Sequence, residues 1–136
     1  MRFDTKIAVV VLGELPTWQK LNVVAFSASG VAVTVPEVTG EPYEDASGNS
    51  YLPMFRQPVL VFEADPGQIR QAFDRAMAAG LRPAIFTREL FSTGHDEANR
   101  AAVKARAFEE LDLAGFALRG ERALVDKVVK GLKLHG

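Results

Sequence analysis

Residues 6–30 read KIAVVVLGELPTWQKLNVVAFSASG, and this stretch decides the fold class. Ile7 to Leu12 is an unbroken apolar run containing three consecutive valines, bounded by Lys6 and Gly13. A strand of that kind has no wet face, so it belongs in the middle of a sheet covered on both sides. Cover on both sides requires helices above and below, which makes the domain a layered α/β structure. Gly13 to Thr17 forms a turn whose Pro16 suits the start of a helix, where its missing N–H costs nothing. From Trp18 the apolar positions Trp18, Leu21, Ala25 and Ala28 step by three, four and three, which predicts a helix with that stripe inward, running to about Val33. The turn delivers the helix start to the carboxyl end of the strand, the usual ligand-binding end of open α/β sheets.

The remaining elements follow from the same periodicities. Val59 to Phe62 is a second apolar strand. Asp65-Pro66-Gly67-Gln68 then starts a helix with an aspartate cap, proline at the first position and glutamine three residues past the cap. Ile69, Phe73, Ala76 and Met77 form its inward stripe, and Gly80 ends it in the left-handed region. Arg82 to Thr87 is the third strand, and the β-α-β unit so formed implies parallel strands. Arg88 to Gly94 is a turn before a polar helix from about His95 to Arg106, with Thr93 and Asp96 at capping-box spacing. Leu111 to Leu118 is the last strand, with Gly115 allowing close approach of a neighbour. Gly120 opens a final helix with Leu124, Val125 and Val128 inward and Asp126, Lys127 and Lys130 outward, closed by Gly131. The expected architecture is a single three-layer α/β domain over residues 1–136, a four-stranded mixed β-sheet with helices on both faces.

Residues 36–58 stand apart, with four prolines and two glycines. Such a long segment is either a lid or binding loop, or an extended excursion pinned to the body by Tyr43, Tyr51, Leu52, Met54 and Phe55. Its Glu41, Glu44 and Asp45 do not have the spacing of a calcium loop.

Composition narrows the function classes. With 136 residues, 48% apolar and 24% charged, the chain is of ordinary globular make-up and fits one domain. The absence of cysteine excludes disulfides, thiolate metal sites and a cysteine nucleophile, and two histidines are too few for a histidine-rich metal centre. No metal or cofactor is expected. Met1 to Asp4 does not read as a signal peptide, and no apolar run approaches the ~20 residues that span a bilayer, so a cytoplasmic protein without membrane partners is expected. Net charge is −1, with the half up to Gln68 acidic and the second half mildly basic. That tilt falls short of a dedicated nucleic-acid binder and leaves such a partner open. Neither a phosphate loop, a dinucleotide fingerprint nor a Gly-x-Ser-x-Gly elbow occurs.

What remains is a constellation expected near one end of the sheet. Lys20 lies in the first turns of the first helix, where the positive field of the helix end also draws anions. Glu89, Thr93, His95 and Asp96 follow the third strand, and His95 near a helix start is a candidate hydrogen-bonding or proton-accepting group. His135, one residue from the end of the sequence, is expected to fray.

The segments KIAVVVLGELPTWQKLNV, PYEDASGNSYLPMFRQPVLVF, FSTGHDEANRAAV and ALVDKVVKGLKLH resemble the bacterial domain of unknown function 2000 family over almost the whole chain. The fold of that family is similar to that of type II peptidyl-tRNA hydrolases, which cleave the ester between a peptide and tRNA. Their pattern Gly-Lys-x-x-x-Ala-Gln-x-x-His resembles the first helix, with Lys20 at the pattern lysine, and their ending resembles Gly120, Val125 to Val128 and Leu132 to Leu134. Gln19 stands in place of the pattern glycine, Val23-Val24 in place of Ala-Gln and Ser27 in place of the histidine. Glu89 and Thr93 share the spacing of an Asp and Thr in the hydrolases' Asp-Ala-Gly-x-Thr segment.

Three functions compete. One is a binding or regulatory module for a small anionic ligand, held by Lys20, Ser27, His95 and Asp96 on the hydrolase-like scaffold. A second is hydrolysis of peptidyl-tRNA-like or aminoacyl esters, with Lys20, Glu89 and Thr93 as the catalytic set. The third is a homodimer buried through Leu52-Pro53-Met54-Phe55.

Overall fold

Residues 3–136 are described by a computed structural model. β1 (Thr5–Leu12) is the middle of a five-stranded sheet in the order β5 (Ala84–Thr87), β6 (Leu113–Glu121), β1, β4 (Val59–Ala64), β7 (Lys133–Leu134). It runs parallel to β4 and antiparallel to β6, while the edge strands β5 and β7 are each antiparallel to their neighbour. Four helices accompany the sheet among the described residues: α1 (Thr17–Thr34), α2 (Pro66–Ala78), α3 (Asp96–Lys104) and α4 (Arg122–Val128).

Every residue from Ile7 to Leu12 is at most 1% exposed. Ile7 and Val9 face Val31 of α1 together with Ala117 of β6. Ala8, Val10 and Leu12 face the opposite layer, where Ile69 and Phe73 of α2 meet Val125 and Val128 of α4. Each large side chain so enclosed stabilises the fold by about 1.5–3 kcal/mol. The mixed sheet with both faces covered agrees with the expected layering, with β7 as an additional fifth strand. β4 and β5 do run in the same direction, but β6 and β1 lie between them, so they are not neighbours.

The rotation of α1 differs from the expected stripe. Val23, Ser27 and Val31 are buried, whereas Trp18 and Leu21 are 57% and 65% exposed. The helix is apolar all round, so spacing alone admits more than one inward face. Gly115 of β6 makes the choice: a Cβ there would lie 2.7 Å from the Val10 carbonyl oxygen and would also strike Cγ1 of Val23. The gap left by the missing side chain takes Val23, and the ridge of residues one and two turns on follows it inward.

α2 starts as expected, with reciprocal bonds between Asp65 and Gln68, and Gly80 beyond it has φ +77°. Met77 of this helix is exposed, not inward. β6 continues to Glu121, so α4 begins two residues later than the sequence suggests. No helix among the described residues is long and apolar enough to cross a membrane.

Residues 36–58 are neither structureless nor pinned along their length. Val38 and Gln57 are buried and Phe55 is half-buried, but Tyr43, Tyr51, Leu52 and Met54 are exposed. Between them β2 (Tyr43–Glu44) and β3 (Ser50–Tyr51) form a hairpin whose turn is organised by Asp45. The Asp45 carboxylate accepts hydrogen bonds from the Tyr51 hydroxyl at 2.7 Å, the Asn49 amide side chain at 3.0 Å and the backbone N–H groups of Ser47 and Asn49 at 2.9 and 3.0 Å. The Tyr51 hydroxyl, followed by Asn49, holds the carboxyl at about 2, below its ordinary 3.8. Because the folded value is the lower one, the contribution of these bonds is complete above about pH 4 and is lost as pH falls towards 2. NMR of the Tyr43–Tyr51 hairpin should therefore show a titration centred near pH 2. A midpoint at the ordinary carboxylate value would contradict the bonding described.

Candidate functional site

β1 and β4 are the parallel neighbours of the sheet, and their carboxyl ends lead into α1 on one face and α2 on the other. The Gly13 N–H donates to the Ala64 carbonyl oxygen at 3.0 Å and ties the two strand ends together. A crevice of about 580 Å³ opens there, lined by Gly13, Glu14, Glu63, Asp65 and Lys133 among others. This is the end at which open α/β sheets bind ligands. Glu14 is engaged by Arg88, 3.0 Å away, and Arg88 also reaches Asp112 at 3.3 Å.

Lys20 is not among the residues lining this crevice; its partner is His135, which is not among them either. The ammonium Nζ is 3.0 Å from His135 Nε2, and the same nitrogen is 3.9 Å from Glu63 Oε2. His135 is held in place by β7: its backbone N–H donates to the Val61 carbonyl oxygen at 2.8 Å, continuing the ladder with β4. The expected fraying is therefore overturned. Its missed signal is the alternating Leu132-Lys133-Leu134 run, the period of an edge strand with one wet face. Glu63 was also missed; it lies within an apolar strand on the face that turns towards α1, opposite Lys133. Gly13 leaves room for it, since a Cβ there would come within 3.3 Å of Glu63 Oε2.

The hydrogen bonds assign the tautomer of His135. Nδ1 is 2.8 Å from the Gly136 carbonyl oxygen, which can only accept, so Nδ1 carries the proton. Nε2 then presents its lone pair to the Lys20 ammonium.

The other expected site residues go elsewhere. Thr93, His95 and Asp96 line a separate cleft of about 360 Å³ walled by Trp18, Phe26 and Phe91, and Lys20 is not among its lining residues. The expected meeting of Lys20 with 89–96 does not occur, because burial of Val23 turns Lys20 towards the sheet while Trp18 and Phe26 face that cleft. His95, not Thr93, caps α3: its Nδ1 accepts from the Ala98 N–H at 3.2 Å. Thr93 donates to the Leu90 carbonyl oxygen at 3.0 Å and also contacts the Asn99 side-chain oxygen, while Asp96 pairs with Arg100. Glu89 pairs with Arg106 at 3.0 Å, and its other carboxylate oxygen is buried without a hydrogen-bond partner among the described residues. Ser27 is buried and donates to the Val23 carbonyl oxygen of its own helix at 2.6 Å. Among the described residues, no group of three or more His, Asp or Glu side chains is placed to hold a metal ion.

The family model for DUF2000, a protein of unknown function, matches residues 5–136. The chain belongs to the DUF2000 family. A solved structure of another protein of unknown function, from Agrobacterium tumefaciens strain C58, is similar to this DUF2000 chain at 41% identity, with a TM-score of 0.96. The likeness covers 99% of this chain and 100% of that one. No curated protein matches.

Nitrogen-15 NMR of the imidazole checks the proton assignment. In the uncharged ring the proton should sit on Nδ1 and leave Nε2 without hydrogen; the reverse tautomer would contradict the bond to Lys20.

Proposed function

We propose that this chain is a binding or regulatory module, built on a type II peptidyl-tRNA hydrolase-like fold, that holds a small anionic ligand between the first turn of α1 and β7. The observation that carries this reading is the amine of Lys20 held 3.0 Å from the Nε2 of His135, beside β4 of the parallel pair. Donation to His135 uses one of three ammonium N–H groups and leaves two for an oxyanion. α1 adds to this: no side chain caps it and its first turn holds no acidic residue, so its free amides and positive dipole end are not neutralised locally. The fold assignment is supported by the resemblance at the chain's end, where Gly120 is the last but one residue of β6, Val125 to Val128 lie in α4 and Leu132 leads into β7.

A second reading, hydrolysis of an ester or amide, is favoured by the same imidazole. A substrate that draws the Lys20 amine away leaves Nε2 free to take a proton from water, while the amine stabilises negative charge on the substrate.

Calorimetry and thermal shift with a panel of phosphate- and carboxylate-bearing metabolites test the binding reading. A ligand should raise the melting temperature, and Lys20→Ala should weaken its binding by about tenfold or more, the value of a lost charge-assisted hydrogen bond. No stabilisation by any anion, or equal binding by the variant, would overturn it. Turnover of peptidyl-tRNA or aminoacyl esters that falls about 100-fold in Lys20→Ala and His135→Ala would instead establish the hydrolase.

A further inference from the structure

At the far end of α1 lies a cavity of about 340 Å³ whose lining includes two arginines, Arg82 and Arg119, and the apolar Val31, Val35, Pro83 and Ala84. β5 pairs antiparallel with β6, with Ala84 opposite Ala117. Carrying that register two residues further places Arg82 opposite Arg119. Like charges opposite on neighbouring chain segments repel, and both arginines line this one cavity, so an anion seated in it would relieve that repulsion.

The protein does not provide one. Among the described residues neither arginine forms an ion pair with a carboxylate, in contrast to Arg70, Arg88, Arg100 and Arg106. The Nε–H of Arg119 is buried and has no hydrogen-bond acceptor. The rest of the Arg119 side chain is half-buried, but a donor atom closed off from water without an acceptor is uncommon, which marks the position as one that a bound group completes.

The C-terminal turn of α1 is the competing explanation, since its carbonyl dipoles favour nearby cations and that turn has no basic residue of its own. A helix end carries only about half a unit of negative charge, against two full positive charges here. Among the described residues neither arginine hydrogen-bonds those carbonyls, so the dipole accounts for part of the charge and none of the orphaned Nε–H. Close packing of α1 on β5 at Gly30, where a Cβ would lie 2.7 Å from that of Ala84, sets the floor of the cavity.

We propose that Arg82 and Arg119 form a clamp for a phosphate or carboxylate group of a small metabolite, with Val31, Val35 and Pro83 packing against the remainder of the molecule. Guanidinium forks match both oxyanions, and two of them meet a dianion better than a monoanion. This site is separate from the one at Lys20, at the opposite end of the same helix.

Inorganic phosphate, glycerol phosphate and succinate, each titrated by calorimetry into the wild type, Arg82→Gln, Arg119→Gln and Lys20→Ala, test the clamp. At least one probe should bind with millimolar or tighter affinity, weaken about tenfold or more in either arginine variant and be unaffected in Lys20→Ala. Selectivity for the phosphates or for succinate identifies the group the clamp takes. No binding of any probe at ~10 mM would overturn the proposal. So would affinity unchanged in Arg82→Gln, an exposed position whose replacement leaves the core intact. Loss of binding in Lys20→Ala alone would assign the anion to the other end of α1 and reject the clamp.

Discussion

The contact between Val23 and Gly115 sets the orientation of α1, and the orientation of α1 sets both candidate sites. A side chain at position 115 would collide with the helix on one side and with the Val10 carbonyl oxygen on the other. Its absence lets α1 sit down on β6 and β1, with Val23, Ser27 and Val31 inward. Lys20, three residues before Val23, shares that face beyond the strand ends and is carried to the β4–β7 side. Trp18 and Phe26 are turned the other way, to the cleft beside Phe86 and Phe91. One helix rotation thus separates groups that lie close in any linear reading of the chain.

How much of this was legible depends on how local the determining physics is. The burial of β1 shows in six consecutive apolar residues, and the start of α2 shows in Asp65, Pro66 and Gln68, because strand burial and capping are written within a few positions. The face of α1 was not legible, because the helix offers apolar residues in every direction and the deciding partner, Gly115, lies far along the chain. The Thr93–Asp96 spacing pointed to a cap, yet His95 supplies it, since its ring nitrogen reaches the Ala98 N–H directly. At the candidate site Lys20 could be placed at a helix start from sequence alone. Its partner could not, because His135 meets Lys20, and comes within reach of Glu63, only through the pairing of β7 with β4.

The charged groups of the two ends of α1 contrast. At its start the cations Lys20 and Arg88 have protein partners: His135 for the first, Glu14 and Asp112 for the second. At its end Arg82 and Arg119 face a cavity without a carboxylate partner among the described residues. The first arrangement suits a site whose donors are preorganised and partly engaged before a ligand arrives. The second leaves one buried donor, the Nε–H of Arg119, without an acceptor among the described residues.

The central claim is that the terminal strand docks on β4 and thereby brings the imidazole to Lys20. Amide hydrogen exchange at His135 tests that docking directly, because its N–H is bonded to the Val61 carbonyl oxygen. Docking predicts exchange slowed about 100-fold or more relative to an unstructured chain end, equivalent to an opening free energy near 3 kcal/mol. Exchange of that amide at the unprotected rate, with the amides of β1 and β4 still protected, would show the strand undocked and contradict the account.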